Sequence, residues 1–152
     1  MQIALYQPDI PQNLGSILRL AACMDVPCHI IEPCGFVLDD KRLRRVAMDY
    51  AAQAVFHRHD SWERFVEAMR NAGTRILLLT TKAKHHYCDF TYNSSDILLL
   101  GRESAGVPQH VVEAANASLR IPMQGQARSL NIAVAAGMAL GEALRQTRPI
   151  QS

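Results

Sequence analysis

Arg75-Ile76-Leu77-Leu78-Leu79-Thr80 and Asp96-Ile97-Leu98-Leu99-Leu100-Gly101 decide the fold class. Inside the end residues, Ile76–Leu79 and Ile97–Leu100 are unbroken apolar runs of strand length, with no polar residue on either alternating face. A strand that reads this way is buried on both sides, which is the mark of a parallel sheet covered by helices. The rest of the chain supplies the other parts. Gln2–Tyr6 predicts a short apolar strand, and residues 11–24 predict a helix with Ile17, Leu18, Ala21 and Ala22 on its apolar face. Residues 27–31 predict a second strand, ended by Glu32-Pro33-Cys34-Gly35. Asp39-Asp40 opens a short basic helix, acidic residues suiting a helix N-terminus. Residues 54–57 predict a third strand. Ser61 caps a helix carrying Trp62, Phe65, Val66 and Met69 at helical spacing, and Gly73 ends it. A helix at 108–115, a strand at 118–121 and a helix at 129–146 complete an α/β domain with an open, mostly parallel sheet and helices on both faces.

The chain has 152 residues, 49% of them hydrophobic and 20% charged, a balance that supports one globular domain over 1–152 and excludes disorder and fibrous repeats. The charge-free stretch 129–141 is too short to span a membrane and holds Ser129, Asn131 and two glycines. The start, Met1-Gln2-Ile3-Ala4-Leu5-Tyr6, lacks the basic segment of a signal peptide, so the expected location is the cytoplasm. Cysteines at 23, 28, 34 and 88 match no zinc spacing, and adjacent His85 and His86 do not converge on one face, so no metal site is expected. Cys23 and Cys28 fall in apolar surroundings and read as core thiols.

A net charge of +2 does not announce a nucleic-acid binder, but its distribution is uneven. Lys41, Arg42, Arg44 and Arg45 crowd one segment; His57, Arg58 and His59 follow, then Lys82, Lys84, His85 and His86. By themselves such runs are ordinary solvated surface.

Ligands of open parallel sheets bind beyond the carboxyl ends of the strands. Three polar, glycine-bearing segments follow strands here: residues 11–19, residues 101–108, and residues 121–131. Each has an ordinary structural reading. Asn13 could cap its helix, Arg19 could be a surface ion-pair partner, and Glu103 could balance Arg102. The dinucleotide, P-loop and nucleophile-elbow patterns are all absent.

Taken together, the segments say more. Asn13-x-Gly15-x-x-x-Arg19, then Gly101-x-Glu103-x-x-Gly106-Val107-Pro108, then Ile121-Pro122-Met123 with Ser129-Leu130-Asn131, resemble the three motifs of the SPOUT methyltransferases. The match extends to Gln7-Pro8-Asp9-Ile10-Pro11-Gln12-Asn13, to Ile30-Ile31-Glu32-Pro33 with Gly35-Phe36, and to the segment 39–45 with Asp49-Tyr50. This set is similar to the single-domain tRNA (cytidine/uridine-34)-2′-O-methyltransferase family, over residues 3–146.

The resemblance implies a C-terminal half threaded as a deep trefoil knot, which general topology rules would have excluded. It implies a homodimer with the active site near the interface, and S-adenosylmethionine as cofactor. The cofactor pocket would be built from Leu79, Thr80, Gly101, Ile121, Met123, Ser129 and Leu130. The implied catalytic group is Arg19 with Asn13, Glu103, Ser129 and Asn131. Arginine stays protonated and is a poor base. Arg19 therefore either acts deprotonated in an unusual site or, the preferred reading, grips the RNA phosphate and stabilises the forming alkoxide. Lys41, Arg42, Arg44 and Arg45 become the expected phosphate contacts, with Lys82, Lys84 and His85 next. The implied substrate is the wobble nucleotide of a tRNA anticodon loop, with leucine isoacceptors expected. Two alternatives stay open: another tRNA or rRNA position, and a non-catalytic dimeric RNA-binding protein of the same fold. Arg102 departs from the proline common in related sequences.

Overall fold

A computed structural model describes residues 1–46 and 55–149, with the side chains of Arg42, Arg44 and Val46 outside the described part. Asp49, Tyr50 and the start of the expected strand at 54–57 also lie outside it. Among the described residues seven strands form one parallel sheet: β1 (Gln2–Tyr6), β2 (Cys28–Ile31), β3 (Phe56–His59), β4 (Ile76–Leu79), β5 (His85–His86), β6 (Ile97–Leu100) and β7 (Ala117–Arg120). The described residues also form the helices α1 (Pro11–Cys23), α2 (Asp40–Val46), α3 (Trp62–Asn71), α4 (Gln109–Ala114) and α5 (Ile132–Thr147). The strand order is β3-β2-β1-β6-β4-β7-β5, so β6 sits between β1 and β4. Every strand pairing is parallel.

The leucine runs behave as their composition demands. In β4 and β6, alternate side chains enter two separate cores. Leu77, Leu98 and Leu100 join Ile3 and Leu5 under α1 and α5, whose Leu14, Ile17, Leu18, Ala139 and Leu140 are buried there. Ile76, Leu78, Ile97 and Leu99 face Trp62, Phe65, Val66 and Met69 of α3 on the other side. Ser61 caps α3 as expected, its hydroxyl accepting from Arg64 N at 3.2 Å.

Five expectations are corrected. β3 reaches His59, because its register on β2 pairs Ile31 with His59. β5 is new: two residues hydrogen-bonded to the edge of β7, too short to leave a pattern. α5 begins at Ile132, since Asn131 caps it rather than lying inside it. Pro108 is the N-cap of α4, not its first residue. Cys23 is exposed at the last position of α1, whereas Cys28 is buried and its thiol is pushed up to about 12.

Candidate functional site

The carboxyl ends of β4, β6 and β7 open into a cleft of about 490 Å³, within the size range of small-molecule sites. All seven expected cofactor residues line it: Leu79 and Thr80 after β4, Gly101 after β6, Ile121 and Met123 after β7, and Ser129 and Leu130 before α5. Ile121 is buried, while Leu130 stays 39% exposed at the mouth. The walls mix aliphatic residues with the polar Asn13, Thr80, Thr81, Arg102, Glu103, Ser129 and Asn131.

Gly101 is there because nothing larger fits. A Cβ on it would lie 2.9 Å from the Gly106 carbonyl carbon and 3.0 Å from Gly106 Cα. The loop 101–107 folds back tightly, Arg102 N–H donating to Gly106 O at 3.0 Å and Gly106 N–H to Arg102 O at 2.9 Å. Gly106 closes this turn at φ +61°, a conformation that favours glycine. Arg102 does not pair with Glu103: its guanidinium lies 5.5 Å from the Tyr6 ring centroid, and its Nε donates to Gly106 O at 3.3 Å. That releases Glu103 to the other side of the loop.

Three of the five expected catalytic residues form one chain of hydrogen bonds across the cleft. Asn131 Oδ1 accepts from Ala133 N at 2.9 Å and Val134 N at 3.3 Å, capping α5. Its Nδ2 donates to Asn13 Oδ1 at 3.1 Å, and Asn13 Nδ2 donates to Glu103 Oε1 at 3.4 Å. Asn13 is thus no helix cap; Ile10 holds that position without a side-chain bond. The chain ties α1, the β6 loop and the start of α5 together around the cleft. Burial, reinforced by the neighbouring Asp9 carboxyl, raises the pKa of Glu103 above the ordinary carboxylate range.

Ser129 lines the same cleft, but Arg19 does not. It stands exposed on α1, six residues beyond Asn13 and about a third of a helical turn out of phase with it. Of the basic cluster, Lys41 and Arg45 are exposed on α2, which Leu43 anchors in the core; Arg42 and Arg44 share the helix, their side chains undescribed. Arg58, from the second basic run, is committed to Glu32 at 2.8 Å.

The cleft also holds residues not anticipated from the sequence: Ile10, Thr81, Val107 and Ala135. Val107 was within reach, since it lies inside the motif that contains Glu103. Ile10 lies in the stretch 7–13 of the resemblance, whereas Thr81 and Ala135 carry no local signal and are placed by the turn of the chain.

No group of three or more His, Cys, Asp or Glu among the described residues could hold a metal. No helix among them is long and apolar enough to cross a membrane.

Residues 1–141 match the model of the SpoU rRNA Methylase family. A tRNA (cytidine(34)-2′-O)-methyltransferase of Beijerinckia indica is 54% identical over 144 residues, spanning 95% of this chain and 90% of its own. A solved structure described as giving insight into 2-OH methylation of C/U34 on tRNA superimposes with a TM-score of 0.89 at 40% identity, covering 95% of this chain and 94% of that one. The SpoU methyltransferase AviRb from Streptomyces viridochromogenes, solved in complex with the cofactor AdoMet, matches 96% of this chain and 60% of its own, at TM-score 0.83 and 29% identity. With sequence, fold and motif order in agreement over nearly its whole length, the chain belongs to the SpoU rRNA Methylase family.

Proposed function

We propose that this protein is a tRNA (cytidine/uridine-34)-2′-O-methyltransferase that uses S-adenosylmethionine. The observation that carries the reading is the convergence of Asn13, Glu103 and Asn131 with seven expected cofactor residues around one cleft. The close relatives named for this reaction support the substrate. The cleft suits the cofactor: aliphatic Leu79, Ile121 and Leu130 can sandwich an adenine, and the absent side chain at Gly101 lets backbone approach it.

S-adenosylmethionine supplies a methyl group on a sulfonium, which an entering 2′-oxygen can attack. The chain's work is to align that oxygen and to stabilise the negative charge it develops. Asn13 and Asn131, each holding the other, present fixed amides beside the cleft. Arg19, outside the cleft wall, meets the RNA rather than the cofactor. Its forked donors grip the phosphate beside the target ribose and stabilise the forming alkoxide, while phosphate or water takes the proton. Exposed Lys41 and Arg45, with Arg42 and Arg44 on the same helix, contact the phosphates of the anticodon loop. The base at position 34 is splayed out so that its ribose reaches the cleft.

The wider reading comprises a cytoplasmic homodimer, leucine isoacceptors as substrates, and a trefoil knot in the C-terminal half. Exposed Val134 and Met138 stand one turn apart on α5, and exposed Leu130 lies just before that helix at the cleft mouth, which supports a second copy docking there. Gly141, on the same helix, has nothing within 4 Å of a Cβ, so Gly141→Leu should lower the dimer population in analytical ultracentrifugation.

Nucleoside mass spectrometry of tRNA from a deletion strain tests the function: 2′-O-methylation at position 34 should vanish and return with the wild-type gene. Arg19→Ala should stay folded and bind the cofactor, with single-turnover methyl transfer down about a hundredfold, the scale of one lost transition-state donor. Persistence of the modification in the deletion strain would remove the reading.

A further inference from the structure

Asp9, at the exit of β1, faces Glu103 across the gap between two loops. Its backbone N–H donates to Glu103 Oε2 at 3.2 Å, which brings the two acidic residues together. The Ser104 hydroxyl donates to Asp9 Oδ2. Asp9 Oδ1 is buried, and no N–H or other hydroxyl of a described residue reaches it. Gly35 packs against Asp9: a Cβ there would lie 2.6 Å from Asp9 Cβ, and Gly35 N–H donates to Pro8 O at 3.0 Å. Only glycine at 35 lets the two loops pack this closely at Asp9.

A buried acceptor needs a donor. Here the group that can provide one is Glu103 in its protonated form. Two ionised carboxylates held this close and partly buried repel strongly, so such pairs hold a proton between them. We propose that Asp9 and Glu103 share one proton, and that Asp9 is thereby a positioning residue that sets the orientation and charge of Glu103 at the cleft. The inference rests on reading that cleft as the methyl-transfer site.

The surrounding groups agree. Ser104 donates to Asp9, which keeps Asp9 the anionic member. From α1, Asn13 faces Glu103 with an amide donor and carries no charge. From the loop after β2, the groups nearby are the Cys34 thiol and Glu32, the latter neutralised by Arg58. Arg102 is turned onto Tyr6. Among the described residues no Lys, Arg or His makes an ion pair with Asp9 or Glu103 that could hold both ionised. Contact with Glu103 lowers the pKa of Asp9, while burial, then Asp9, raises that of Glu103.

Asp9→Asn keeps the shape and lets an amide donate to an ionised Glu103. Carboxyl carbon NMR of the protein without tRNA should show Asp9 titrating below the usual carboxylate range and Glu103 above it. In Asp9→Asn the Glu103 midpoint should fall by at least about one pH unit, the scale of removing an adjacent like charge. In single-turnover methylation of tRNA, wild type should lose rate as pH rises through the Glu103 midpoint, and Asp9→Asn should lose it at a correspondingly lower pH. Glu103→Gln, a permanent donor to Asp9, should fold and show no such limb. An ordinary Glu103 midpoint in wild type, or one unmoved in Asp9→Asn, overturns the proposal. So does a loss of rate in Asp9→Asn by the same factor at every pH, which is what a purely structural residue would give. The NMR titration needs no methylation, so an inactive protein with the predicted titration would fault the functional reading and leave the pair standing.

Discussion

Acidification should destabilise this protein through one histidine. His29 in β2 is 5% exposed and held between two neighbours. Its Nε2 lies 2.7 Å from Gln2 Oε1, an acceptor, so Nε2 carries the hydrogen. Its Nδ1, 2.8 Å from His59 Nε2, must then accept from His59. A second proton on His29 would set two donors against each other. Burial first, then the His59 and His57 charges, depress its pKa to about 4. The unfolded chain titrates near 6.5. A base with a depressed folded pKa is stabilising above the unfolded value, and the contribution is lost as pH falls from about 6.5 towards about 4. At pH 5 these two values give a loss of about 2 kcal/mol relative to pH 7.5. With an ordinary urea dependence, that moves the unfolding midpoint down by about 1 M. The single tryptophan, Trp62, is buried against Phe65 and Tyr6 and reports unfolding by fluorescence. Urea titrations at pH 7.5 and 5.0 should be run on wild type and on His29→Gln, which keeps hydrogen-bonding capacity but cannot titrate. The variant is less stable at pH 7.5, yet its pH-dependent loss should be smaller than that of wild type by about 2 kcal/mol. Equal losses in the two proteins would refute the assignment to His29.

Gly101→Ala should clash with the Gly106 backbone and shift the loop that carries Glu103, costing about 1–3 kcal/mol; calorimetry should show cofactor affinity falling by about tenfold or more. Asp96, fully buried, takes bonds from Arg75 at 2.6 and 2.7 Å, so Arg75→Met should strand its charge. The expected loss, read by urea unfolding, is about 2–3 kcal/mol, below that of a fully enclosed pair because Arg75 is 37% exposed. Charge reversal at Arg42 and Arg45 should weaken tRNA binding, leave cofactor affinity intact and flatten the log-log salt slope by roughly one unit per lost contact. Normal tRNA binding by the double variant would reduce the cluster to solvated surface.

Much of this protein is written locally. The leucine runs of β4 and β6 announce strands covered on both faces, because burial on two sides removes the polar alternation that a solvated face requires. Trp62, Phe65, Val66 and Met69 recur at the helical period, and their helix delivers them to one core. Most residues of the cleft lie in the three motifs that carry the family resemblance, which also implied Leu79 and Thr80; within the second motif the backbone at Gly101 and Gly106 itself demands glycine. What the sequence could not state is who meets whom. Asn13 bonds Asn131 across 118 positions and Glu103 across 90, and Asp9 meets Glu103 across 94. Side-chain periodicity reports that a face is buried, not which face it is buried against. The entropy of closing a long loop rises only slowly with its length, so distance along the chain does little to choose among partners. Global packing makes that choice, inserting β6 between β1 and β4 and carrying α5 back over α1. The His29 stack, the Arg75–Asp96 pair and the short strand β5 exist for the same reason. Each is made by elements that the strand order alone brings together.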